Sequence, residues 1–166
     1  MPAHYSFYQK SSPGFSLMEL LVVMGILGTL FGLTTVDLTN LLPRANLSAA
    51  TEKISLDLND QQLKAMVGDT EGQADADFQG VYFQTNQYIL FHGASYSAAQ
   101  ASNVTIQPGD EFQISTNFPN QSVVFQRVSG EVVNYASESS TITVRNTAND
   151  EVKTLTINRI GVVSGN

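Results

Sequence analysis

The feature that most limits what this chain can become is the stretch from Leu20 to Val36, which has no charged side chain and follows a single carboxylate, Glu19. Counted from Phe15, the apolar segment is 22 residues long. As a helix it spans about 33 Å at 1.5 Å per residue, against a bilayer hydrocarbon core of about 30 Å. Such a segment suits hydrocarbon, where an ionisable group is costly and is by default a functional candidate. Glu19 is that group.

Around it the sequence reads Gly14-Phe15-Ser16-Leu17-Met18-Glu19 and continues Leu-Leu-Val-Val-Met-Gly-Ile-Leu. This resembles the N-terminal signature of type IV pilins and type II secretion pseudopilins: a short leader ending in Gly, then Phe, with Glu four residues further on, opening a long apolar helix. The resemblance covers roughly the first third of the chain. It implies that a prepilin peptidase cleaves between Gly14 and Phe15 and that Phe15 becomes N-methylated. It also implies that Glu19 meets the freed amino group of a neighbouring subunit in a filament. The physics of that pairing is simple, because each charge alone is unfavourable in lipid and the pair neutralises both. The expected organisation is a leader over 1–14, a transmembrane and assembly helix over 15–36, an amphipathic continuation over 37–68, and a β-rich globular domain over 69–166.

Other readings compete for the same residues. Ser16-Leu17-Met18-Glu19 fits a capping box, in which Ser and Glu satisfy backbone donors at a helix start, and an acid in the first turn suits the helix dipole. A secretory signal peptide would have an apolar core of about 7–15 residues ending at a small-residue cleavage site. Here the run is longer, and Ser48-Ala49-Ala50 lies well downstream of it. An uncleaved membrane anchor fits the length but gives Glu19 no task. Lys10 and His4 precede the run and Asp37 follows it, which favours a cytoplasmic N-terminus and an extracytoplasmic C-terminal domain in the inner membrane.

Composition narrows the function classes. The chain has no cysteine, so thiol catalysis and the common structural zinc sites fall away, and the globular part must be held by packing a helix on a sheet. Its net charge is -7, with Lys and Arg scattered rather than clustered, so the basic footprint of a nucleic-acid partner is missing.

Past the apolar run, Pro43 is expected to bend or interrupt the helix and to make 40–43 a hinge. From Leu47 to Val67, a period of 100° per residue puts Leu47, Ile54, Leu58 and Ala65 on one stripe, with Leu56 and Leu63 nearly opposite. Two readings of the second stripe stand: burial against another subunit, or a broad core face. Lys53 with Asp57 and Asp60 with Lys64 are i,i+4 pairs, and Gly68 is a natural C-cap. The acidic stretch 69–79 carries Asp69, Glu71, Asp75 and Asp77. These could supply calcium oxygens, but their spacing fits no compact calcium loop, and a solvated linker is the simpler reading.

The remainder alternates with period two. A hairpin is expected from 81–83 and 88–91, then a strand at Phe112 and Ile114, a strand over 123–128 turning through Ser129-Gly130-Glu131 into 132–135, a pair over 141–145 and 152–157, and an edge strand at 160–163. Residues 93–103 read as a mobile small-residue loop. One long helix followed by many strands is an α+β pattern, here a long N-terminal helix packed on an antiparallel β-sheet domain. Within the family it most resembles the H-type minor pseudopilins and minor pilins of the FimT kind.

No catalytic constellation emerges. His92 with Ser95 or Ser97 lacks a nucleophile-elbow pattern, and no phosphate loop or metal-ligand pair appears. The expectation is a minor pseudopilin-like structural subunit with no enzyme activity, cofactor or metal. Its expected partners are prepilin peptidase, sister pilin or pseudopilin subunits, the inner-membrane assembly platform and the membrane itself. The alternatives are a minor pilin binding DNA or surfaces, a membrane-anchored extracytoplasmic binding domain, and a tethered hydrolase-like domain built on His92.

Overall fold

A computed structural model describes the backbone of residues 14–70, 78–133 and 135–165, with side chains over the same residues except 33–45. The fold is α+β, and the described residues form one α-helix, a short 3-10 turn at Pro119–Gln121, and two four-stranded antiparallel sheets. Helix α1 runs from Leu17 to Val67. The chain divides into two compact units, residues 1–40 and 41–166, so α1 contributes to both.

The hinge expected at 40–43 does not appear as a break in α1, which continues through Pro43. One proline penalises one turn, whereas the helix beyond it is held by its contacts with the rest of its unit. The described side chains of the first unit end at Gly32, sixteen residues into α1, or about 24 Å of rise. Among the described residues no helix is long and apolar enough to cross a membrane.

In the second unit the helix pattern resolves as the spacing requires. Leu47, Ile54, Leu58 and Ala65 are each 0% exposed, and each large side chain so buried contributes about 1.5–3 kcal/mol. Leu56 and Leu63 remain 58% and 57% exposed. The pairs Lys53–Asp57 and Lys64–Asp60 both form, at 2.8 and 3.4 Å. The helix ends in a Schellman arrangement: Gly68 takes φ +69°, its N–H reaches Ala65 C=O at 3.3 Å, and Asp69 N–H reaches Lys64 C=O at 2.9 Å.

The first sheet has the strand order β3 (Val104–Ile106), β2 (Tyr88–His92), β1 (Gln79–Phe83), β5 (Ser122–Phe125), and the second β4 (Phe112–Thr116), β6 (Thr141–Asn146), β7 (Val152–Ile157), β8 (Val163–Gly165). Strands β1 (Gln79–Phe83) and β2 (Tyr88–His92) form the expected hairpin, with Val81 opposite Leu90 and Phe83 opposite Tyr88. The adjoining strand β3 (Val104–Ile106) pairs with β2 and has no counterpart in the sequence reading. β4 (Phe112–Thr116) buries Phe112 and Ile114 and exposes the residues between, the period-two pattern expected. β6 (Thr141–Asn146) and β7 (Val152–Ile157) pair across their turn. Inner-face residues of both sheets, Val81, Phe83, Tyr88, Phe125, Ile142, Val144, Leu155 and Ile157 among them, share one apolar core with the buried stripe of α1.

Three of the expected strands depart from expectation. β5 spans only Ser122–Phe125 instead of reaching residue 128. Beyond it the chain turns to the helix end, where Val128 N–H caps Ala65 C=O at 3.0 Å. Val128 accordingly adopts φ +71°, costly for a β-branched residue. The return segment forms no named strand among its described residues: Val132 makes an isolated bridge with Phe125, and Val133 N–H reaches Val124 C=O at 2.8 Å. The last strand, β8, is Val163–Gly165; residues 160–162 are spent on the turn around Gly161, whose φ is +85°. The acidic loop residues Glu71, Asp75 and Asp77 lie outside the described residues, as do the leader residues 1–13.

Candidate functional site

The start of α1 is assembled by local hydrogen bonding alone. Ser16 is its N-cap: its C=O accepts from Glu19 N–H at 3.0 Å and from Leu20 N–H at 3.2 Å, while its Oγ accepts from Glu19 N–H at 3.2 Å. This is the serine half of a capping box. The other half is not made, because the Glu19 carboxylate has no hydrogen bond or ion pair among the described residues. Gly14 meets nothing within 4 Å of where a Cβ would stand, and Phe15 is 81% exposed. Gly14, Phe15 and Glu19 are therefore all open to an outside agent at the head of the helix.

The helix behind them is bare on every side. Leu17, Met18, Leu20, Leu21, Val22, Val23, Met24, Ile26, Leu27, Leu30 and Phe31 are all exposed, covering consecutive positions around the turn rather than one stripe. The single other polar side chain in this stretch, Thr29, returns its hydroxyl to Ile26 C=O at 2.8 Å, so it needs no outside partner. That leaves Glu19 as the one polar side chain between Leu17 and Gly32 whose needs the helix does not meet.

In the second unit, the residues that could suggest chemistry do not assemble into a catalytic group. His92, the last residue of β2, is 5% exposed and its Nε2 has no hydrogen-bond partner, so that nitrogen engages neither Ser95 nor Ser97, which line the same surface cleft. Among the described residues no cluster of three or more His, Asp or Glu could hold a metal. Four of the described cations face acids: Lys53, Lys64, Arg145 and Arg159 pair with Asp57, Asp60, Asp150 and Glu131.

A polar link runs from exposed Lys53 through half-buried Asp57 to buried Tyr88. Tyr88 donates its hydroxyl to Asp57 Oδ2, and Lys53 Nζ donates to both Asp57 oxygens at 2.8 and 3.0 Å. Burial, with the Asp57 hydrogen bond and charge adding to it, pushes the Tyr88 hydroxyl far above the usual phenol range. That arrangement fixes α1 to β2 rather than activating a nucleophile.

The loop over 93–103 makes two specific contacts. Tyr96 stacks on Tyr82 with centroids 4.2 Å apart, and Asn103 Nδ2 donates to Ser97 C=O at 2.8 Å. The signal in the sequence was the lone aromatic among small residues. No family profile, curated protein or solved structure matches this chain.

Proposed function

We propose that the protein is a filament subunit of the pseudopilin or type IV pilin kind, most like the H-type minor pseudopilins, stored in the cytoplasmic membrane by its N-terminal helix and assembled through that helix. One observation carries this reading: an apolar helix exposed on all sides, headed by a carboxylate without a partner. An uncovered helix of that character does not persist in water, and its coverings are lipid or other helices. Prepilin peptidase would cleave between Gly14 and Phe15, both open at the head of the helix, and methylate Phe15.

Assembly follows from electrostatics. The new amino group on Phe15 is a cation at the end of a helix that must enter an apolar environment, and Glu19 is an acid in the same position. Each is costly alone and tolerable as a pair between neighbouring subunits. Within one chain Ser16 already supplies the cap, leaving the Glu19 carboxylate available for the neighbour. The second unit, with its own closed core, would then be displayed along or at the tip of the fibre. The function is structural: subunit packing, with no bond made or broken by this chain.

Co-expression with a prepilin peptidase, followed by intact-mass measurement, tests the reading. The expected mass lacks residues 1–14 and carries one methyl group. An unprocessed chain, or one cut after Ala50, contradicts it. Glu19→Ala should be processed normally yet enter filaments poorly.

A further inference from the structure

The first sheet has a second face, turned away from α1, with an aromatic construction that the core does not use. Ile89, Phe91 and Val124 are buried but lie outside the core cluster. Gly80 makes room for this layer: a Cβ there would stand 2.5 Å from the Phe91 ring, so only glycine lets that ring lie across β1. Phe91 supports Tyr96 edge-on at 5.8 Å, and Tyr96 lies flat on Tyr82 with the rings 4° from parallel. Tyr82 in turn donates its hydroxyl to Gln121 Oε1 at 3.3 Å.

Gln121 belongs to an unusual turn. Asn120 and Gln121 both take left-handed backbone, φ 55° and 54°, which costs free energy for side chains other than glycine and gathers at binding sites. Between this turn and the Tyr96 loop lies a cleft of about 320 Å3, lined by Tyr82, Ser95, Tyr96, Asn120, Ser122 and Val133, among others. It falls at the small end of the range for ligand pockets, about 300–1,000 Å3. Its lining contains no charged residue, although the chain as a whole carries -7.

We propose that this cleft binds a neutral saccharide, one or two sugar units in extent. Aromatic rings offer a flat apolar surface to sugar C–H groups, while the Ser95 and Ser122 hydroxyls and the Asn120 amide offer donors and acceptors to sugar hydroxyls. An uncharged lining disfavours phosphates, uronates and amines, since a buried charge needs a partner. A peptide adding as a strand is disfavoured as well. The outer edge of β5 is already taken, with Val133 N–H bonded to Val124 C=O at 2.8 Å and Val132 bridged to Phe125. This inference is independent of how the helix assembles.

The test is saturation-transfer NMR on the full chain in a zwitterionic, sugar-free detergent. The probes are glucose, galactose, mannose, N-acetylglucosamine and the β-1,4-linked disaccharides of glucose and N-acetylglucosamine. Transfer to ring C–H protons of at least one probe is expected, with millimolar affinity. Tyr96→Ala should weaken that affinity about fivefold by removing a stacking ring. Asn120→Gly separates binding from folding: glycine relieves the left-handed backbone, so thermal stability should hold or rise, while loss of the amide weakens sugar binding about fivefold. Absence of transfer to every probe overturns the proposal. So does unchanged affinity in either variant, or displacement of the bound sugar by a neutral Ala-Ser-Gly peptide.

Discussion

Two stretches of one helix obey opposite rules. From Leu17 to Gly32, α1 exposes large apolar side chains all around its axis; from Leu47 to Val67, it buries one stripe and leaves the other positions to solvent. Backbone geometry is the same in both, so the covering each requires is set by the distribution of side chains. The second stretch meets that need within its own chain. The apolar side chains of the first are exposed, and it carries Gly25, Gly28 and Gly32, none with a neighbour within 4 Å of a built Cβ. In water each such glycine costs a helix about 1 kcal/mol. In lipid the backbone has no alternative to helical hydrogen bonding, and small residues permit close helix approach.

That contrast can be broken most sharply by identical truncations on the two sides. Ile54→Ala or Leu58→Ala should lower the unfolding free energy of the globular unit by about 2–5 kcal/mol in denaturant titration, from lost transfer energy and the cavity left behind. Leu21→Ala or Leu27→Ala should leave the same transition unmoved. Equal losses on both sides would mean that the first stretch is covered by the globular unit after all.

Next in size is the tie between α1 and β2. Tyr88→Phe should cost about 1.5–3 kcal/mol, because the hydrogen bond it removes runs to a charged acceptor. Its pH dependence has a fixed sign. Tyr88 holds its proton more tightly folded than unfolded, so the folded state binds more protons above the free phenol value near 10. The contribution is therefore complete below about pH 10 and is lost as pH rises beyond it. Wild type should lose stability in that alkaline range, and Tyr88→Phe should show a shallower decline.

Smaller effects sharpen the boundary. Gly68→Ala should cost about 1–2 kcal/mol, since its φ of +69° suits glycine alone among common residues. Leu56→Ser and Leu63→Ser, on the half-exposed stripe, should change unfolding by no more than about 0.5 kcal/mol. A large loss there would place that stripe in the core.

How much of this was legible depended on whether the cause was local. The stripe Leu47, Ile54, Leu58, Ala65, the hairpin of β1 and β2, the alternation of β4 and the Gly68 cap all follow from spacing and residue type. The shortfalls have tertiary causes. β5 stops at Phe125 because Val128 is drawn away to cap Ala65, 63 residues earlier in the numbering. β3 is three residues long, follows small residues, and becomes a strand by pairing with β2. Pro43 was given more force than a helix anchored beyond it allows. At the head of α1, Gly14, Phe15 and Glu19 were legible as a motif. That Ser16 would form its half of a capping box while Glu19 remained unpartnered depended on geometry. The Tyr82–Tyr96 cleft was missed because its walls are far apart in sequence.

The central claim is that Glu19 is answered by the amine of a neighbouring subunit. Zero-length carbodiimide coupling of processed protein in assembled filaments, followed by peptide mass spectrometry, measures it directly. The expected product is an amide joining the Glu19 carboxylate of one chain to the N-terminus of Phe15 in another, absent in Glu19→Gln. Filaments that form normally with Glu19→Gln, or coupling in which that linkage never appears, would contradict the account.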